Sequence, residues 1–189
     1  MKPLSNLRRS YGNYLLNKRI RHVKRQRAIR NFTTAKSACI IFQCKEIGDF
    51  SIIKTFREYL EGNDIRTYVI GYVHAKQIPD QFLLRTGFNC FSFKDLNLWH
   101  IPMAPFLQGF EQKEFDLLLD LCMENHFPVR YLSRISRAKY KIGQYTEDDI
   151  YDLMIDIGKE KKLDYFCEQV RHYLGIIRSS DTAVPAGSL

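Results

Sequence analysis

Two groups of residues carry chemical potential in this sequence. The first is basic. Arg8, Arg9, Lys18, Arg19, Arg21, Lys24, Arg25, Arg27 and Arg30 crowd the start of the chain, where residues 1–36 hold 11 Lys/Arg and no Asp or Glu. Such a cluster attracts phosphates without regard to sequence, and Tyr11 and Tyr14 among the charges would offer ring faces for stacking on bases. The competing expectation is a basic helix that docks on its own acidic body. The second group is a pair of carboxylates. Asp120 and Asp156 occupy matching places in two similar segments, FDLLLDL (115–121) and YDLMIDI (151–157). At the carboxyl ends of parallel strands they would hold a cation or orient a sugar. Simple solvation of strand ends is the plainer alternative.

Other chemistry is sparse. The first strand-like run is followed by Cys44-Lys45-Glu46-Ile47-Gly48-Asp49, whose single glycine does not make a G-x-G-x-x-G phosphate turn. There is no G-K-[ST], no G-x-S-x-G and no H-E-x-x-H. Cys122 and His126 stand four apart, a spacing open to a Cys–His nucleophile, and Trp99-His100 form an aromatic pair in a proline-bracketed stretch. No catalytic residue, metal ligand or cofactor is expected from these patterns. Five cysteines without C-x-x-C suit a reducing cytosolic compartment. The basic start lacks the apolar core of a secretory signal, while an Arg-rich, acid-free start also suits a mitochondrial transit peptide.

The elements that must position these groups follow from composition and periodicity. The 189 residues are 45 % hydrophobic with a net charge of +8. Because residues 37–189 hold 18 basic against 21 acidic residues, the excess charge belongs to the first 36. No apolar run approaches the roughly 20 residues of a membrane-spanning helix. Residues 5–30 read as one helix, with Leu16, Ile20 and Val23 as an apolar stripe and Lys18, Arg21 and Arg25 opposite. Strands are predicted at 37–43, 66–73, 89–93, 115–121, 139–142 and 151–157. Helices are predicted at 50–61, 77–86, 127–136 and 163–177. This alternation predicts a Rossmann-like or flavodoxin-like three-layer α/β sandwich with a mostly parallel sheet of about six strands. The expected division is a basic helical arm at 1–36, a single α/β domain at 37–178 and a disordered tail at 179–189.

Two resemblances add to this reading. The stretch Phe115–Gly143 resembles the acceptor-side Rossmann domain of heptosyltransferase-type glycosyltransferases, in which an aromatic-Asp-Leu strand, a helix and a basic-Ile-Gly strand follow in that order. Those enzymes carry a second Rossmann domain for the sugar nucleotide, so the resemblance implies a body without a donor site. Across nearly the whole chain the basic arm, Gly71-Tyr72-Val73, Lys94-Asp95-Leu96-Asn97, FDLLLDL, Ser136-Arg137-Ala138-Lys139, Lys141-Ile142-Gly143 and YDLMID resemble a family of small Bacteroidetes proteins, a domain of unknown function. That resemblance implies a bacterial cytosol and no mechanism.

The expected function is a non-catalytic binding protein whose basic helix engages RNA, ribosomal RNA in particular, or another polyanion. The alternative is a small glycosyltransferase-related enzyme or pseudo-enzyme held on the inner membrane by the arm at its anionic surface.

Overall fold

The computed structural model describes residues 2–83, 86–159 and 162–179. The proposed tail beyond 179 lies outside them. Six strands, β1 Ser37–Gln43, β2 Arg66–Tyr72, β3 Asn89–Phe91, β4 Leu117–Asp120, β5 Tyr140–Gln144 and β6 Leu153–Ile155, form one sheet in the order β3-β2-β1-β4-β5-β6. Every pairing is parallel. This is the doubly wound Rossmann order, with its reversal between β1 and β4. The helices are α1 Lys2–Ile20, α2 Ile47–Glu61, α3 Asp80–Leu83, α4 Phe127–Ile135 and α5 Leu163–Ile176.

Strand alternation builds a core on each face of the sheet. Ala38, Ile40 and Phe42 of β1 point to one face, where α2 and α5 deliver Ile53, Phe56, Leu60, Phe166, Val170 and Leu174. Cys39 and Ile41 point to the other, under α4 and α1. Parallel strands need a covering crossover, usually a helix. The link from β3 to β4 supplies only short 3-10 turns at Phe93–Asp95, Pro105–Leu107 and Phe110–Gln112. Helix α1 lies beside α4 and completes that layer, with Leu16 only 2 % exposed. Gly12 permits the close approach: a Cβ there would lie 2.5 Å from the Trp99 carbonyl oxygen and 3.1 Å from the Phe127 ring.

The single helix expected over 5–30 is corrected by this packing. It ends at Ile20, closes with a turn from the Val23 amide to the Ile20 carbonyl, and continues as a non-helical segment. No proline or glycine stops it. The side chain of Arg25 instead bonds the Ala138 and Lys139 carbonyls and the Asp152 carboxylate, and the Ala28 amide donates to the Lys139 carbonyl at 3.1 Å. These tertiary ties override helix propensity, which is only a weak prior. Arg25 therefore does not share an outer face with Lys18. The helix expected at 77–86 is the shorter α3 among the described residues, and β3, β4 and β6 are each shorter than their apolar runs suggest.

The burial of Leu16 gives a direct test. Leu16→Ala is expected to lower unfolding stability by about 2–5 kcal/mol, the usual range for emptying a leucine site in a core. Urea unfolding measures it. A loss within about 0.5 kcal/mol, as for an exposed position, would mean that α1 does not belong to the core.

Candidate functional site

The basic residues divide into two sets by position. Residues 21–36 run as a strap along the amino ends of β6, β5, β4 and β1. Along it Arg25 pairs with Asp152, both side chains being nearly buried, and Arg30 Nε lies 3.9 Å from Asp116. Arg27 is largely exposed and 3.8 Å from Asp152. Arg19, at the end of α1, makes two bonds of 2.6 and 2.5 Å to Glu111. Asp116 and Asp152 are the first aspartates of the two similar segments, so each segment sets a carboxylate at the start of its strand. Burial alone would raise Asp116, but the Lys36 amide, Lys139 and Ser37 outweigh it and hold its carboxyl below the usual range.

Arg8, Arg9, Lys18, Arg21 and Lys24 are exposed. Tyr11 and Tyr14 are also exposed, at 43 % and 59 %, with ring centroids 5.8 Å apart. The helical repeat sets Tyr11, Tyr14 and Lys18 on the face opposite Gly12 and Leu16. Tyr11 also rests on Trp99, at 4.4 Å between centroids.

The strand-end carboxylates are not brought together. Strand β5 separates β4 from β6. Asp156 is exposed and accepts from the Gly158 amide at 2.8 Å. Asp120 is buried and accepts from Ser133 Oγ at 2.6 Å, Tyr151 Oη at 2.6 Å and the Cys122 amide at 3.1 Å. Burial still pushes its carboxyl above the ordinary value. Tyr151 lies flat over Gly143, where a Cβ would stand 2.5 Å from the ring. Asp120 thus ties α4 and the β5–β6 loop to the end of β4. Burial, then the Asp120 charge, pushes the Cys122 thiol well up, which leaves it a poor nucleophile.

A second buried polar side chain docks the same, C-terminal end of α4. Lys141 Nζ donates to the Ser133 carbonyl at 2.6 Å and the Arg134 carbonyl at 3.4 Å. These are among the last carbonyls of α4, which lack partners within the helix. Burial, followed by the Arg25 charge, draws Lys141 down to about 7.

Beside this network, at the carboxyl edge of β2 and β3, lies a cavity of about 700 Å³. Tyr72, His74, Phe93 and His126 supply its rings, and Arg8 and Arg9 of α1 reach its rim. His74 and His126 stack at 4.3 Å and 30°, and Tyr72 Oη lies 3.0 Å from His74 Nδ1. Burial, then the neighbouring His74, lowers His126 from its ordinary value, although Glu124 stands 3.1 Å from its Nε2. No group of three or more His, Cys, Asp or Glu among the described residues is placed to hold a metal ion. Among them, too, no helix is long and apolar enough to cross a membrane.

Sequence reasoning missed Ser133, Lys141, Tyr151 and His74. The only signal for Lys141 was its place between Tyr140 and Ile142 in a predicted strand. Nothing local marks Ser133, whose partners Asp120 and Lys141 lie on β4 and β5, or His74, whose ring stacks on His126.

The model of a family of unknown function, DUF6913, matches residues 8–177. No curated protein and no solved structure matches the chain.

The Lys141 environment predicts a pH dependence. Its folded value, about 7, lies below the ordinary 10.5, so the unfolded chain binds more protons between these limits. The stability it contributes is full above 10.5 and is lost as the pH falls toward 7. Lys141→Met removes this titration. The unfolding free energy of the natural protein should therefore gain on that of the variant from pH 7 upward, by at most about 1.4 kcal/mol per pH unit. Urea unfolding of both proteins at several pH values measures the difference, and a constant difference would contradict the buried-amine account.

Proposed function

The chain belongs to the DUF6913 family, and for it we propose a non-catalytic binding role in which α1 engages RNA or a similar polyanion. One observation carries the reading. The outer face of α1 pairs two exposed tyrosines with exposed Lys18 and is flanked by exposed Arg8 and Arg21. Aromatic faces for bases beside cations for phosphates are what single-stranded nucleic acid requires. The segment holds no acidic residue to repel a phosphate chain. The proposed setting is the bacterial cytoplasm, with ribosomal RNA as the partner.

The second reading is a glycosyltransferase-related enzyme or pseudo-enzyme on the inner membrane. It draws on a free carboxylate at the strand ends. Asp120 already accepts three hydrogen bonds inside the protein, which favours the binding role.

Binding should be electrostatic and salt-dependent. If Arg8, Arg9, Lys18, Arg21 and Lys24 each meet a phosphate, the log–log salt slope on single-stranded RNA is about −3.5, from roughly −0.7 per contact. Changing Lys18, Arg21 and Lys24 together to Gln should flatten it by about 2 units. Since all three are exposed, the melting temperature should hold. An unchanged slope would overturn the proposal. So would flotation with anionic vesicles while RNA is ignored at low salt.

A further inference from the structure

The carboxyl-edge cavity lies apart from Tyr11, Tyr14 and Lys18, and it shares Arg8 and Arg9 with the basic surface proposed to meet RNA. It opens where β2 ends at Tyr72 and the chain leaves β3 through Phe93. One wall is the 96–100 loop and the other is the chain entering α4 at His126–Pro128. The loop is held in a defined shape. Asn97 Oδ1 accepts from the Trp99 amide at 2.9 Å and the Ile101 amide at 3.0 Å, and His100 takes φ +61°. A non-glycine residue in that region carries strain, which clusters at ligand clamps and other functional sites.

The lining has a consistent chemistry. Rings form a continuous floor: Phe93 meets His74 edge-on at 4.7 Å, His74 stacks on His126, and His126 lies 5.1 Å from Tyr72. Phe93 is 41 % exposed, an uncovered aromatic surface at the mouth. Among the described residues no Asp or Glu lines the cavity, whereas Arg8 and Arg9 stand at its rim, exposed. Asn125 adds an amide able to both donate and accept, and Asn97, its oxygen already engaged by two backbone amides, adds a donor. The volume is that of a small-molecule site, within the usual range of roughly 300–1,000 Å³.

We propose that this cavity binds a nucleoside monophosphate, its base against the Phe93, His74 and His126 rings and its phosphate on Arg8 and Arg9. A planar ring satisfies the exposed aromatic surface. Guanidinium groups pair bidentately with phosphate oxygens. Among the described lining residues none is acidic, so no lining carboxylate faces the phosphate. The phosphate comes to rest on side chains of α1, so no glycine-rich turn after β1 is needed. Since α1 covers the sheet through Leu16, the fold itself brings Arg8 and Arg9 to the strand ends.

Isothermal titration of the full chain with AMP, GMP, CMP and UMP tests the site, with adenosine and inorganic phosphate as controls. At least one monophosphate should bind with Kd below about 1 mM, and about tenfold or more tightly than either control. Arg8→Gln with Arg9→Gln should weaken it about tenfold, and Phe93→Ala should weaken the monophosphate and the nucleoside alike. All three positions are exposed, so an unchanged melting curve certifies the fold. The Lys18, Arg21 and Lys24 variant should bind the monophosphate normally, which separates this site from the RNA face. No binding by any of the four, or binding indifferent to both the arginine and the Phe93 changes, overturns the proposal.

Discussion

Two carboxylates at the amino edge of the sheet, Asp116 and Asp152, fix the path of the N-terminal segment, and much of the molecule depends on that path. Asp152 receives Arg25 and the Lys141 amide; Asp116 receives the Lys36 amide, Ser37 and Lys139, with Arg30 alongside. Once the strap is laid across β6, β5 and β4, α1 can only run back toward the carboxyl edge. The buried Arg25–Asp152 pair need not stabilise more than an apolar pair would, because both charges lose their water. Its consequence is geometric. Removing one partner leaves the other charged, poorly solvated and costly, so the alternative paths for the chain are disfavoured.

The layer under α1 and α4 is assembled from polar and apolar constraints together. Leu16 and Gly12 seat α1 by close packing. Asp120 and Lys141 pin α4 to β4 and β5 through Ser133, whose hydroxyl donates to one and whose carbonyl accepts from the other. Ser133 is fully buried, so both bonds form where no water competes. The rigid layer that results carries the tyrosines and outer cations on its solvent face. It also holds His126 and Phe127 at the carboxyl edge. Structure at one edge of the sheet therefore prepares both candidate binding surfaces.

The parallel sheet was legible in the sequence because each buried strand is a short apolar run bounded by polar residues, as in SACIIFQ and FDLLLDL. The strand order was not legible, because Rossmann-like and flavodoxin-like sheets share the alternation and differ in order. The end of α1 was not legible. Residues 20–30 have no helix breaker, and what straightens them is a carboxylate more than 120 residues away. The same distance hid the division of the basic cluster: Arg21 and Arg25 look alike in sequence, yet one is exposed and the other ion-paired. Asp120 was visible as a strand-end acid, but Ser133 and Tyr151, which occupy its lone pairs, lie on other elements. The cavity was invisible for the same reason, since its walls come from α1, the ends of β2 and β3, and the start of α4.

The central claim is that the basic segment has two kinds of charge, one holding the fold and one facing outward to a partner. The most direct measurement pairs urea unfolding with RNA titration on Arg25→Gln and Arg30→Gln, made together. The account predicts a stability loss of several kcal/mol, as for breaking buried ion pairs. The salt slope of the protein that remains folded should match the natural one. Unchanged stability with a flattened slope would place Arg25 and Arg30 on the nucleic acid and contradict the division.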